Sequence, residues 1–250
     1  MIKLSYSGYF GNQMMQYAAA RILSKTTKYF LDAHYPTEGK FVDLNPLEDN
    51  NIRYESNELL LSDNVWSIDY DEVSKHRGCI HLCGYFQRYS NIKQYKKYVK
   101  NMYFFEKNKN LYNEDLIGVH IRLGEYYNYN NHLPKEYYIN CITDSKKMAV
   151  IYTDQPTHPY IQDIKRSVDC QIFSTDINWI ESKSPTQWRD FVNISSHKHI
   201  IISQSSYSWW AAWLSNASTI YYPLSYKNYW SNNGNDIDLV VDDEDRYIYV

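Results

Sequence analysis

The sequence predicts an α/β protein of two Rossmann-like halves, each built on a parallel sheet, meeting near residue 110. Three observations predict it. The chain opens on a strand-like run, a helical pattern and a second strand-like run in close succession. From "LIGVHIR" onward, short apolar runs alternate with helical patterns to residue 222. Neither half carries an internal repeat or a low-complexity linker.

The elements follow in order. "MIKLSYSG" reads as a strand ending in glycine. "NQMMQYAAARILSK" places Met14, Tyr17, Ala18 and Ile22 at helical spacing, with the helix beginning at Asn12. "KYFLDAHY" reads as the second strand. Roughly 45 to 110 is hard to read, except "IHLCGYFQRYSNIKQYKKYV", a strand, a turn and a helix. "LIGVHI" starts the second series. "LPKEYYINCITDSK" is helical, with Pro134 suited to the first turn. "MAVIYTD", "CQIFST", "KHIIIS" and "STIYY" read as strands. "PYIQDIKRSV", "PTQWRDFVNISSH" and "SSYSWWAAWLS" read as the helices between them. The expected division is 1–110 and 111–250. In such folds, ligands bind at the carboxyl ends of the strands.

Composition excludes several classes. With 250 residues, 44% hydrophobic and 22% charged, the chain has an ordinary globular make-up. A net charge of -3 gives no basic footprint for nucleic acid. No apolar run approaches the length of a bilayer span, and the N-terminus has no secretory h-region, so a soluble, cytoplasmic protein is expected. Cys79, Cys83, Cys141 and Cys170 lack zinc-ligand spacing and read as free thiols. The 27 tyrosines fit sugar-binding rings, but a codon bias that also enriches Asn, Lys and Ile is the simpler account.

Three stretches carry candidate chemistry. In "GVHIRLGEYY" a buried strand runs out into His120, Arg122 and Glu125. His120 and Arg122, two apart, share a face of an extended strand. A guanidinium suits a diphosphate because it offers several donors in one plane. Glu125 serves as an acid or base, or orients Arg122. The bland alternative is a structural Arg–Glu pair. In "SQSSYSWWAAWLS" Ser205 and Ser206 fall at a helix N-terminus, where hydroxyls cap the first turn and a phosphate can also be held. Taken alone, that stretch is more simply explained as a capped core helix without a ligand. In "SGYFGNQMMQYA" Gly8 and Gly11 flank a strand-to-helix turn, but not at dinucleotide-binding spacing. Asn12 and Gln13 there could reach a cleft.

Together these stretches resemble the bacterial-type α-1,2-fucosyltransferases, glycosyltransferase family 11. The family's "GNQMFQYA", "GYFQ", "HxRRGDY", "LPxxYY", "FSDD" and "SNSSFSWWxAWL" elements appear in order. Here they read "GNQMMQYA", "GYFQ", "HIRLGEY", "LPKEYY", "YTDQ" and "SQSSYSWWAAWL". The resemblance implies a GT-B-like fold of two facing Rossmann-like domains, acceptor-side in 1–110 and nucleotide-sugar-binding in 111–250. It implies inverting, metal-independent transfer of fucose from GDP-fucose to a hydroxyl of a glycan acceptor in an α-1,2 linkage. No cofactor or metal is implied, the nucleotide sugar being a substrate. Arg122, Asn12 and Glu125 would be catalytic. His120, Arg122, Asp154, Ser205, Ser206, Tyr207 and Ser208 would bind the donor, with His120 and Asp154 near the base or ribose. Gly11, Asn12 and Gln13 would line the acceptor side.

Three positions depart from the family pattern: Leu123 for arginine, Glu125 for aspartate and Gln155 for aspartate. They leave open a related transferase with a xylose or galactose donor. Two other readings compete. One is a catalytically inactive sugar- or nucleotide-binding module, and against its sugar-binding form stands the diphosphate grip, which a lectin does not need. A metal-dependent transferase needs an Asp-x-Asp pair, for which "DYD" at 69–71 and "DDED" at 242–245 fit by letters only.

Overall fold

The computed structural model describes residues 1–33, 57–62, 67–103, 105–174, 185–224 and 237–250. The chain divides into two compact units, Met1–Phe104 with Asn233–Val240, and Phe105–Asn232 with Val241–Val250. Compared with a cut at residue 110, Phe105–Asn110 go to the second unit. Residues near Asp238 return to the first, where Tyr89 N–H donates to the Asp238 carbonyl (2.7 Å) and Asp238 N–H to that of Gln87 (3.1 Å).

The first unit contains β1 (Ile2–Leu4), α1 (Phe10–Thr27), β2 (Leu31–Asp32), β3 (Glu58–Leu61), α2 (Tyr70–Val73), β4 (Cys79–Leu82), α3 (Ser90–Lys93) and α4 (Lys96–Met102). Its strands pair in the order β2-β1-β4-β3, all parallel. Helix α1 buries Met14, Met15, Ala18, Ala19, Ile22 and Leu23, the periodic face visible in the sequence. It starts at Phe10, two residues before Asn12, so Gly11 lies inside its first turn. His34 and Tyr35 of the second predicted strand lie outside the described residues.

The second unit contains β5 (Leu116–Ile121), α5 (Gly124–Asn128), α6 (Lys135–Ser145), β6 (Met148–Thr153), α7 (Pro159–Ser167), β7 (Cys170–Ser174), α8 (Pro185–Ser196), β8 (His199–Ile201), α9 (Ser206–Trp213), β9 (Thr219–Tyr222) and β10 (Tyr247–Tyr249). Its strands are all parallel, in the order β10-β9-β8-β5-β6-β7. Counted from β5, this is the 3-2-1-4-5-6 order of doubly wound dinucleotide-binding sheets. β5 is buried almost end to end, as a central parallel strand must be. Gly118 is needed there, because a Cβ would lie 2.5 Å from the His197 ring. The β10 strand has no counterpart among the elements expected from the sequence; Tyr247 is buried and the strand pairs with β9.

The minor sequence features also find places. Asp69 of "DYD" caps α2, its carboxylate accepting from the Glu72 amide (3.0 Å). In "DDED", Glu244 pairs with Arg246 (2.6 Å). All four cysteines are free. No helix among the described residues is long and apolar enough to cross a membrane.

Candidate active site

In the second sheet the chain leaves β5 toward β6 on one side and returns to β8 on the other. The crevice at the carboxyl ends of β5 and β8 is therefore the topological switch point. Register pairs Gly118 with Ile200 and Val119 with Ile201, so β5 runs on past the end of β8. His120 follows, and its Nδ1 lies 2.9 Å from the Ser203 hydroxyl in the β8–α9 connection. That contact ties the two sides of the crevice together. Burial, then the positive field of Arg122, holds the His120 imidazole down to about 3, so it is neutral at neutral pH.

Arg122 is the first residue past β5. Its Nη1 donates to Asp154 Oδ2 at 2.5 Å and its Nη2 to Glu125 Oε1 at 3.4 Å, with Tyr126 beneath the guanidinium at 5.5 Å. Asp154, just past β6, has a side chain only 2% exposed, and its second oxygen accepts the Leu123 amide (3.0 Å). Burial pushes the Asp154 carboxyl up, against the pull of Arg122 and of that amide. Asp154, a candidate for contact with the base or ribose, has both oxygens engaged within the protein and anchors Arg122 from below. Gly124 is required by the same anchor. Its φ is +30°, and a Cβ there would lie 2.6 Å from Asp154 Oδ2.

Leu123 is fully buried in the apolar core beside Ile121 and Tyr138. Its departure from arginine thus changes a core position, while its backbone still serves Asp154. Glu125 stands in the first turn of α5 with 41% of its side chain exposed.

Helix α9 forms the other wall. Trp209, Trp210, Ala211, Ala212 and Trp213 are fully buried, and Trp209 stacks on Trp213 one turn on (5.5 Å, 14°). At ~25 cal/mol per Å2 over roughly 200 Å2, each indole contributes on the order of 5 kcal/mol as an upper limit. Arg246 holds the far end, donating to the carbonyls of Trp213 (2.9 Å) and Ser215 (3.0 Å), where a cation offsets the helix dipole. The helix therefore presents a fixed N-terminus to the crevice.

Ser205 is the N-cap residue, but its side chain makes no capping hydrogen bond, contrary to the capping role expected of it. Its φ of -140° and ψ of 128° are the extended backbone of a cap. Ser206 is the first helical residue and is half-buried. Ser208, also a donor-binding candidate, lies deeper than Ser205 and Ser206. It is fully buried, and its hydroxyl donates to the carbonyls of Ser205 (3.1 Å) and Ser203 (3.2 Å), so it braces the turn from inside. Tyr207 donates to the Gln187 carbonyl (2.6 Å) and packs its ring 5.2 Å from that of His120.

The first sheet has its own switch point, between β1 and β4. There Gln87, just past β4, donates from Nε2 to Asn12 Oδ1 at 2.5 Å. Gly8 precedes α1 at φ +70°, and a Cβ on it would collide with the Asn12 amide at 2.3 Å. Phe86 sits at φ +52° although fully buried, a conformation that costs a non-glycine residue on the order of 1 kcal/mol or more. Asn91 holds it by donating to its carbonyl (2.8 Å). Gln13 turns back to donate to the Gly8 carbonyl (3.0 Å), and Gly11 is buried in the helix.

Four participants escaped the sequence reading: Ser203, Tyr126, Gln87 and Gln204. "GYFQ" was a signal for Gln87, but its partner is 75 residues away. Gln204 directly precedes the N-cap, is 2% exposed, and neither amide atom has a partner among the described residues.

The model of glycosyl transferase family 11 matches residues 101–233, which hold β5 through β9 and both walls of the crevice. The chain is 25% identical to the O-antigen biosynthesis glycosyltransferase WbnK of Escherichia coli over 287 aligned positions, covering 83% of this chain and 88% of that protein. A solved structure of an Arabidopsis thaliana FUT1 mutant in complex with GDP superposes with a TM-score of 0.49 at 12% identity, over 88% of this chain and 69% of that one. The family match spans more than half of the sequence and contains Arg122, His120 and the serine helix: the chain belongs to glycosyl transferase family 11.

Proposed function

We propose that the protein is an inverting α-1,2-fucosyltransferase that moves fucose from GDP-fucose to a glycan hydroxyl without a metal. The observation that carries this reading is the meeting of Arg122 and the α9 N-terminus at one switch point, joined by the His120–Ser203 contact. A nucleoside diphosphate needs such an arrangement. The acceptor hydroxyl attacks C1 of the sugar and loses its proton to solvent, the bond from C1 to the diphosphate oxygen breaks, and the electron pair leaves on the β-phosphate. Arg122 stabilises that charge as it grows, and the α9 N-terminus adds its partial positive charge. Asp154 keeps the guanidinium aimed, and Glu125 steadies it from the solvent side. Neutral His120, beside the Tyr207 ring, is suited to a nucleoside edge. Asn12, oriented by Gln87, is assigned to the acceptor hydroxyl, with Gly11 and Gln13 shaping that turn.

The fucose identity rests on the family and on the ordered motifs that resemble its α-1,2-fucosyltransferases. The burial of Leu123 supports it, since that departure from the family pattern changes a core position. The test is a panel of nucleotide sugars carrying fucose, galactose and xylose, assayed for hydrolysis and transfer with and without EDTA. GDP-fucose should be the preferred donor and chelation should leave the rate unchanged. Preference for another donor, or a rate lost to EDTA and restored by manganese, refutes the reading.

A further inference from the structure

A second pocket lies on the carboxyl-end rim of the second sheet. It has a volume of about 330 Å3 and is lined by Tyr127 of α5, by the start of α6 and by the start of α7. That volume falls in the range of small-molecule sites, roughly 300 to 1,000 Å3. None of its lining residues is assigned to the donor.

Its walls combine rings and charges. Tyr127 packs against His132 (4.7 Å, 32°) and against His158 (4.4 Å, 66°), and Tyr160 meets His132 edge to face (5.3 Å, 87°). Tyr127 is 42% exposed, a large ring with no core to fill. Tyr160 is locked by donating to the Leu133 carbonyl (2.6 Å), and His158 by capping α7. Lys135 and Asp163 pair at 2.5 Å, each about one-third exposed, and Glu136 stands beside them. The buried Nδ1 of His132 has no partner among the described residues. Burial, then His158, lowers the His132 pKa, so the ring is neutral at neutral pH and can donate or accept.

We propose that this pocket is a carbohydrate-binding subsite that holds one pyranose unit of a glycan. A pyranose presents C–H groups to aromatic rings and hydroxyls at its edge, matching a tyrosine–histidine wall bordered by both donors and acceptors. A free anion fits less well, because the lining sets Glu136 and Asp163 against Lys135 alone. The subsite goes beyond the donor assignment. It takes a sugar unit other than the one transferred, and Tyr127 stands five residues beyond Arg122.

The test uses the full-length protein, with methyl β-glucopyranoside, methyl β-galactopyranoside, lactose, cellobiose and guanosine as probes. Saturation-transfer NMR reports sugar binding, and GDP titration reports the donor site in the same samples. At least one saccharide should bind, roughly tenfold more weakly to Tyr127→Ala and also more weakly to the surface variant Lys135→Met. GDP affinity should stay within about twofold, which also shows that the variants are folded. Failure of every saccharide to bind overturns the proposal. So does binding that survives both substitutions, or guanosine binding that is lost with Tyr127. If GDP does not bind the wild-type protein, the donor assignment fails, while the sugar result still decides this one.

Discussion

Replacing Asp154 with alanine tests the claim that this carboxylate anchors Arg122. The pair is short, 2.5 Å, with side chains 10% and 2% exposed. The substitution strands the guanidinium and also the Leu123 amide, which donates to the other oxygen. Removing one member of a buried ion pair costs about 3–5 kcal/mol. Glu125, at 3.4 Å and better solvated, relieves part of the stranded charge, which puts the expectation near the lower end, about 3 kcal/mol. For a unit of this size, that corresponds to a fall in Tm of about 6–12 °C. Urea and thermal denaturation at pH 7 measure it. The double variant Arg122→Met with Asp154→Leu removes both charges and should regain most of the stability, yet show no transfer. The reasoning is refuted if Asp154→Ala stays within about 0.5 kcal/mol of wild type, or if the double variant is no more stable than the single.

Other predictions follow from the same geometry. Gly124→Ala should cost about 1–3 kcal/mol and abolish transfer, because its Cβ meets Asp154 Oδ2 at 2.6 Å and φ is +30°; a fully active Gly124→Ala enzyme contradicts this. Ser206→Ala should weaken GDP binding far more than guanosine binding, while Ser208→Ala should appear in the denaturation midpoint; the reverse pattern in titration and urea melts would instead favour a donor contact by Ser208. His120 and His197 are held down by burial to about 3 and about 4, whereas unfolded histidines protonate near 6.5. Their contribution is therefore complete above about pH 6.5 and is lost as pH falls toward 4, with about two protons taken up on unfolding. His120→Asn should reduce that pH slope by about one proton in urea melts between pH 7 and 4.5, and an unchanged slope would count against a buried neutral His120.

The parts of this molecule legible in the sequence are those set by local periodicity. The apolar run of β5, the helical spacing of α1 and the Ser-to-Trp switch of α9 each report a buried face and its start. His120 and Arg122 were legible because a strand that ends in charged residues places them at a sheet edge. Pairings across long separations were not. Asp154 reaches Arg122 from 32 residues away, and Gln87 reaches Asn12 from 75, and no period in the chain encodes either. The difference between Ser208 and its neighbours was not legible, because three serines within four positions look alike in letters. On the helix the third lies one turn in, facing the core. Strand β10 was hidden by its length, three residues behind an acidic turn.

The central claim is that the β5–β8 switch point grips a diphosphate through Arg122. Calorimetric titration of GDP and of guanosine into wild type and Arg122→Ala tests it most directly. Loss of a charge-assisted fork should weaken GDP by about 100-fold, roughly 2.7 kcal/mol, and leave guanosine within about twofold. Equal losses for the two ligands, or undiminished GDP binding to Arg122→Ala, would contradict the account.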